Sequence, residues 1–449
     1  MATLPLAEKA DFREVAVRPI LRPGQLYWLL AIALAMVVAG GFIAYLYQLR
    51  GGLGVTGLNH RVPWAVYESN IVFFIGLSYG GAVTSAILRL TNAPWRAPLT
   101  RMAEAMALVT LAIGSVFPII HLGRPDRMIN LFLHPQIGSP ILWDVVAISS
   151  YMAATIIFLY LPLIPDTAFC RDHLGPAVGR LRQALYTRLS LGWRGTTRQR
   201  HLLEQNMTIV AVVIIPLAIS VHSVLAWLFG MNIRPGWNST IFAPYFVVAA
   251  LFSGVATVIL VVAAFRHAYR LHDHIEEQHF KYLANIMLAL GLGYGYFTFA
   301  ELLTEGYKMD GFIETQGSGA LLEALLLGQY APLFWIFVGG GLALPLALVC
   351  LPATRNIPGI VLASALVVAA MWLKRFLIVV PALATPIMPV GWGSYWPSLV
   401  EIAITLAAVA AIPLLLMLFF RLFPIISIYE MEEVAEAEAK RLSPAEAKG

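Results

Sequence analysis

The sequence predicts an all-α polytopic membrane protein of ten transmembrane helices, arranged as two parallel four-helix bundles plus two extra helices. Three observations carry that expectation. Of 449 residues, 59% are hydrophobic and only 12% charged, about half the charge of an ordinary soluble domain. Mean hydropathy is +0.76. Charge-poor runs of about twenty residues recur along the chain, the length that crosses a hydrocarbon core of roughly 30 Å. Backbone polar groups in lipid must be satisfied within the segment, so such runs are helices.

The elements follow in order. A polar tail over 1–26 precedes the apolar run Leu26–Leu49, which is too long for the core of a cleaved signal and reads as a first span. Further spans fall near 67–89, 102–121, 141–163, 206–229, 243–265, 282–304, 331–353, 357–380 and 398–421. A first bundle is expected over 27–163, a basic loop over 164–205, a second bundle over 206–353, the two extra helices over 357–421 and a tail over 422–449. The bundles rest on a repeat. GGAVTSAIL (80–88) and SGVATVIL (253–260) align Gly81 with Gly254 and Thr84 with Thr257, pairing spans one to four with five to eight. A repeat of even span number makes the halves parallel. Gly76 and Gly80 allow close helix contact. The tail Glu430–Lys448, rich in Ala, Glu and Lys, reads as a solvated helix or a disordered segment without chemistry.

Charge sets the direction. Twenty-two of the thirty Lys and Arg lie in the two tails and the loops on their side; six lie opposite, and Lys374 and Arg375 lie within span nine. Lys and Arg concentrate on the cytoplasmic side, so both termini are expected there. The basic segment Gly179–Gln205 then lies against anionic lipid and implies no nucleic acid. Two cysteines, Cys170 and Cys350, are too few for a cysteine-ligated iron–sulfur cluster or zinc ribbon in this chain. The histidines of RHAYRLHDHIEEQH (266–279) resemble a metal tract, but they fall in a cytoplasmic loop and read as a polar, solvated segment; no metal site is expected.

Titratable groups gather at the opposite, outer ends of the spans. His121 ends span three after sixteen uncharged residues, Ala105–Ile120. Glu68 begins span two and Asp144 begins span four. His222 lies in the outer third of span five and Glu301 near the outer end of span seven. Arg375 lies eighteen residues past Ile357, roughly 27 Å along the helix. The inner halves offer few such groups. Singly, Glu68 and Asp144 equally suit interfacial helix ends, Asp144 suits a helix dipole, and Arg124 and Arg127 suit a solvated loop. Together they suggest a pocket, because ionisable residues within a membrane are costly and face a bundle interior. A histidine near a carboxylate accepts a proton at physiological pH. A buried arginine keeps that carboxylate ionised. An apolar cavity at the membrane edge suits a lipid-soluble ligand with hydroxyl groups, and a quinol has two to deprotonate. Haem b needs two facing histidines, and His121 and His222 fall in different bundles. A secondary transporter would place its groups at the midplane.

FPIIHLGRPDR (117–127) followed by SPILWDVVAISSYM (139–152) resembles the third-to-fourth-span region of the NrfD/polysulfide-reductase-type membrane subunits. WLKRFLIVVP (372–381) and the ten spans make the chain most similar to the larger NrfD-like subunit of bacterial alternative complex III. The resemblance implies a bacterial inner-membrane subunit of a respiratory or photosynthetic electron-transfer complex. It implies quinol oxidation at the periplasmic face, with menaquinol the favoured substrate, and proton release outside, with proton translocation an option. It implies a peripheral partner holding a 3Fe–4S cluster, a paralogous NrfD-like membrane subunit and cytochrome c subunits. By match, His121 is the proton acceptor, Asp144 its orienting partner or second acceptor, and Arg375 the neutraliser of Asp144. Glu68, Arg124 and Lys374 are further substrate-binding candidates, and His222 and Glu301 candidates for a proton path. The alternatives are a quinone-reducing anchor of a molybdenum-type reductase and a stand-alone transporter.

Overall fold

The computed structural model describes residues 12–21, 23–307, 317–388 and 391–442, and every regular element among them is helical. Lys9, Arg22, Lys308 and Lys448, which enter the charge count, and the ends of both tails lie outside the described residues. Among the described residues, ten helices are long and apolar enough to span a membrane. They are α2 (Gln25–Gly51), α3 (Val66–Leu90), α4 (Ala97–His121), α6 (Pro140–Leu174), α8 (Thr197–Gly230), α9 (Phe242–Ala268), α10 (Glu277–Tyr307), a broken eighth span, α14 (Ile357–Ala384) and α15 (Leu399–Leu422). The eighth span runs through α12 (Ala331–Trp335), a π-helical turn (Ile336–Ala343) and α13 (Leu344–Cys350). Short helices α1 (Phe12–Leu21), α5 (Asn130–Leu133), α7 (Arg180–Leu189), α11 (Gly317–Leu326) and α16 (Ile428–Leu442) lie between or beyond them. The chain is thus a multi-pass membrane protein. We call the end where α3, α6 and α15 begin the upper end.

The starts have local causes. Thr196 with Gln199, and Ser398 with Glu401, form capping boxes at α8 and α15, satisfying amide groups that a first turn leaves free. Asn356 caps α14, its Oδ1 accepting from the Gly359 amide at 2.9 Å. Two boundaries differ from expectation. Helix α6 continues past 163 to Leu174, and α8 starts at Thr197, so most of the segment 164–205 is helical. The reason is packing: the lower part of α6 carries buried Asp166, Thr167 and Cys170, and this stretch is held by α16.

Helix α3 is central. It packs against α4, α8, α9 and α14. The two segments aligned as a repeat meet here. A Cβ on Gly80 of α3 would overlap the Gly254 carbonyl carbon of α9, and one on Gly254 would overlap the Gly80 amide nitrogen. Only glycine fits both positions, so the backbones touch, as small residues permit between helices in lipid. Gly80→Leu is expected to cost about 1–3 kcal/mol through overpacking. It should lower the melting temperature in detergent; an unchanged value would show that the helices yield without strain. Span one behaves differently. Helix α2 packs mainly along α15, with Gly41 so close to Ala407 that a Cβ would not fit between them.

The lower end is closed by the tail. Glu430, 1% exposed, meets Arg89 at 2.8 Å and Arg96 at 2.7 Å. Asp166 of α6 pairs with Arg101 at 2.7 Å and accepts from the Tyr429 and Ile428 amides at 3.0 and 3.3 Å. One carboxylate therefore pairs with a buried guanidinium and caps α16 from another helix. The start of the tail is not a solvated segment without partners, because its residues 425–431 are buried against α4 and α6. Burial opposes ionisation of Glu430, but Arg96 and Arg89 outweigh it and hold the group below its ordinary 4.5. A lowered folded value means that its docking contribution is complete above the ordinary value and is lost as pH falls through the folded one. Glu433 beside it is pushed up by burial, so its protonation comes earlier and favours the docked form. A nitroxide on Ala435→Cys, in a Cys350→Ser background, should stay immobile down to pH 4.5 and become mobile only below it. Release at neutral pH would contradict the ion-pair account.

Candidate functional site

The upper end of the first half gathers a cluster of polar groups. His121 ends α4 and Glu68 lies in the first turn of α3; His121 Nδ1 is 3.7 Å from Glu68 Oε2. The other ring nitrogen, Nε2, is 3.2 Å from the Pro63 carbonyl oxygen. A carbonyl only accepts, so this contact places a proton on Nε2 and leaves Nδ1 facing the carboxylate. The Tyr67 ring stands 6.1 Å from the imidazole, and its hydroxyl donates to Gln48 Oε1. Gln48 is itself buried in α2 and donates to the Ile120 carbonyl at 3.0 Å. The histidine is thus gripped from α2, α3 and the 52–65 connection.

Asp144, in the first turns of α6, is buried, and among the described residues its Oδ1 has no hydrogen-bond partner. It lies within electrostatic reach of Glu68. A buried carboxylate oxygen without a donor is costly. Glu401 adds a third carboxylate that sequence reasoning missed. It is fully buried and accepts from the Tyr395 hydroxyl at 2.8 Å and the Gly57 amide at 2.7 Å, and its charge reaches His121. Its only signal in the sequence is Ser398-x-x-Glu401, which announces a helix start.

The structure does not bring every expected residue here. Arg375 is buried, but it does not meet Asp144. Among the described residues, no ion pair joins it to a carboxylate. Its nearest polar contact is the Met371 carbonyl at 3.4 Å, and it lines a small void with Tyr245 and Tyr294. The reason is topological: α14 packs against α9 and the π-turn, whereas α6 packs against α4 and α8. Glu68, not Asp144, is the carboxylate beside His121. Lys374 also belongs elsewhere, paired with Glu301 at 3.6 Å. Arg124 is exposed and grips Asp126 through two bonds of 3.0 and 2.8 Å; that pair holds Asp126 below the usual carboxylate range. His222 is fully buried, its ring 4.2 Å from that of Tyr79, and neither nitrogen has a hydrogen-bond partner among the described residues. The lower halves are richer in titratable groups than expected: Arg89, Arg101, Glu104 and Asp166 are all buried there. In the histidine tract, His274 is buried. Among the described residues, no group of three or more His, Cys, Asp or Glu side chains is placed to hold a metal.

Ten apolar helices with a histidine–carboxylate cluster at their upper end define a membrane protein with ionisable groups buried among its spans. The family model for polysulphide reductase, NrfD, matches residues 54–387, and the chain belongs to that family. It is 28% identical over 441 residues to a putative dimethyl sulfoxide reductase membrane subunit from Halobacterium salinarum, covering 93% of this chain and 96% of the relative. It is 25% identical over 433 residues to an Hdr-like menaquinol oxidoreductase integral membrane subunit from Archaeoglobus fulgidus, covering 91% and 96%. It is 23% identical over 425 residues to a selenate reductase subunit from Mesobacillus selenatarsenatis, again covering 91% and 96%.

Proposed function

We propose that this chain is the quinol-binding membrane subunit of a multisubunit oxidoreductase and that it oxidises menaquinol-type substrates at the upper, periplasmic end. The observation that carries the reading is the pairing of His121 with Glu68 beside Asp144, a buried carboxylate with a free acceptor oxygen. His121 Nδ1 takes a proton from one quinol hydroxyl, and Glu68 stabilises the imidazolium that results. Asp144 accepts a hydrogen bond from the second hydroxyl, whose proton follows through His121 once the first has passed on to Glu68. The quinol loses two protons and two electrons and leaves as quinone. The protons exit through Glu68 to the outside. The electrons pass to a 3Fe–4S cluster in a peripheral partner and on to cytochrome c subunits, beside a paralogous NrfD-like subunit, as in alternative complex III. Proton translocation through the second half would use His222 and Glu301; the His222 nitrogens, which have no hydrogen-bond partner among the described residues, are groups that internal water would bridge.

A second reading, a quinone-linked anchor of a molybdenum-type reductase, draws on the names of two relatives, the dimethyl sulfoxide reductase and selenate reductase subunits. Both readings place the termini in the cytoplasm by the charge rule. Purification through a tag on this chain tests them. Alternative complex III predicts co-purifying cytochrome c and a 3Fe–4S signal; the anchor predicts a molybdenum subunit. A chain that purifies alone and moves solute in vesicles would return the transporter reading.

A further inference from the structure

Four helices meet at the lower end around two arginines that face no acid. Helix α7 is tied to the last turn of α15 by Tyr186, whose hydroxyl donates to the Leu422 carbonyl at 2.8 Å. Arg182 lies four residues before Tyr186 and so shares its face of α7. Helix α2 is tied one turn higher, where the Tyr27 hydroxyl donates to the Met417 carbonyl at 3.2 Å. Between the two ties stands Arg421. Its Nη1 donates to the Pro19 and Ile20 carbonyls at the end of α1. Its Nε and Nη2 have no hydrogen-bond partner among the described residues. Arg182 and Arg421 lie within electrostatic reach of each other, and both reach Tyr27 and Tyr186.

Two like charges held together repel, and their neighbours do not offset them. Helices α2 and α7 contain no Asp or Glu; α15 has only Glu401, at its upper end, and α1 only Glu14. Tyr269, also within reach of Arg421, opens the connection that carries Asp273. Among the described residues, neither Glu14 nor Asp273 forms an ion pair with either arginine. Residues 1–11, 22 and 437–449 carry five basic side chains against four acidic ones, so they add no surplus of negative charge. The surface around the arginines is apolar. Leu181, beside Arg182, is 87% exposed, and Leu26 and Leu29, on either side of Tyr27, are 66% and 68% exposed. A free phosphate would use the cations and leave these leucines in water. A zwitterionic headgroup would bring an ammonium of its own to two guanidinium groups. An anionic headgroup on acyl chains suits both features, as basic sites between helices at the cytoplasmic side do.

We propose that Arg182 and Arg421 hold the phosphate of an anionic phospholipid whose acyl chains run along the start of α2. The free edge of Arg421 offers two donors to two phosphate oxygens. The shared anion then turns repulsion between α7 and α15 into a tie.

The test is titration of the purified assembly, stripped of lipid in detergent, with phosphatidylglycerol, read by thermal unfolding and by native mass spectrometry. Phosphatidylglycerol should bind saturably and raise the melting temperature; phosphatidylcholine should bind more weakly, and inorganic phosphate should neither stabilise nor compete. Arg182→Gln should weaken phosphatidylglycerol roughly tenfold, the scale of one lost charge-assisted bond. Without lipid the same variant should melt no lower than the parent, because a repulsion is gone. Arg188→Gln, exposed on the same helix, should bind like the parent. Unchanged affinity in Arg182→Gln overturns the site, and equal losses in Arg182→Gln and Arg188→Gln replace it with a diffuse basic surface. Equal binding of phosphatidylcholine, or stabilisation by phosphate alone, overturns the anionic lipid as occupant. Should Arg182→Gln fail to fold, photoreactive phosphatidylglycerol on the parent protein decides: label within 25–32 or 180–189 supports the site, and its absence from both overturns it.

Discussion

His121→Ala lowers quinol turnover by the purified assembly by roughly 10²–10⁴-fold, the usual contribution of a positioned general base. The expectation follows from how tightly the ring is held. Nε2 is committed to the Pro63 carbonyl, so Nδ1 is the free basic position, and Glu68 stands 3.7 Å away to receive the charge. Glu68→Gln keeps the shape and removes the countercharge, so its loss should be smaller and should fall on kcat more than on KM. Asp144→Asn should act mainly on KM, since an amide offers one acceptor where the carboxylate offers two. Arg375→Met separates this geometry from the pairing expected from the sequence. With no contact to Asp144, the variant should keep the Asp144-dependent part of KM. Parental turnover in both His121→Ala and Asp144→Asn would remove the acid–base mechanism.

Asp166→Ala destabilises the protein by about 3–5 kcal/mol, the cost of leaving one member of a buried ion pair alone. Arg101 is 0% exposed and Asp166 1%; the lost carboxylate also strands two amides at the start of α16. The double variant Asp166→Ala/Arg101→Leu should recover much of the loss, because the uncompensated charge is gone. Thermal unfolding in detergent reads both. If the single variant melts with the parent, the pair is solvated and the tail is not a structural closure. Quinol turnover at low temperature should change little, since the pair lies at the end opposite His121.

The ten spans were legible because lipid imposes one rule on every residue of a span, and hydropathy reports it directly. The acidic and basic groups at the upper ends were legible by depth, since depth follows from counting along a helix. Their partners were not. Lys374 and Arg375 are adjacent in sequence yet face different neighbours, Glu301 for one and Tyr294 for the other. Which neighbour each meets depends on how α14 turns against its neighbours, the π-turn among them, through contacts such as Gly341 on Ala370, which carry no polar signature. Glu401 was hidden because its capping role accounts for it locally. Glu430 was hidden because the sequence around it, dense in Glu and Ala, looks like a solvated helix. The arginines at 89 and 96, more than 330 positions away, draw it inside.

The seam between α2 and α15 has a consequence for biogenesis. Span one enters the bilayer early, but its docking surface is the last span to be made, about 350 residues later. At about 5–20 residues per second, that is roughly 20–70 s of synthesis. Through that interval the first helix stands in lipid without its mate. A chain cut short before Leu399 never acquires the mate, so a ribosome that stalls late leaves a nascent product marked by an orphaned first helix, which membrane proteases can find.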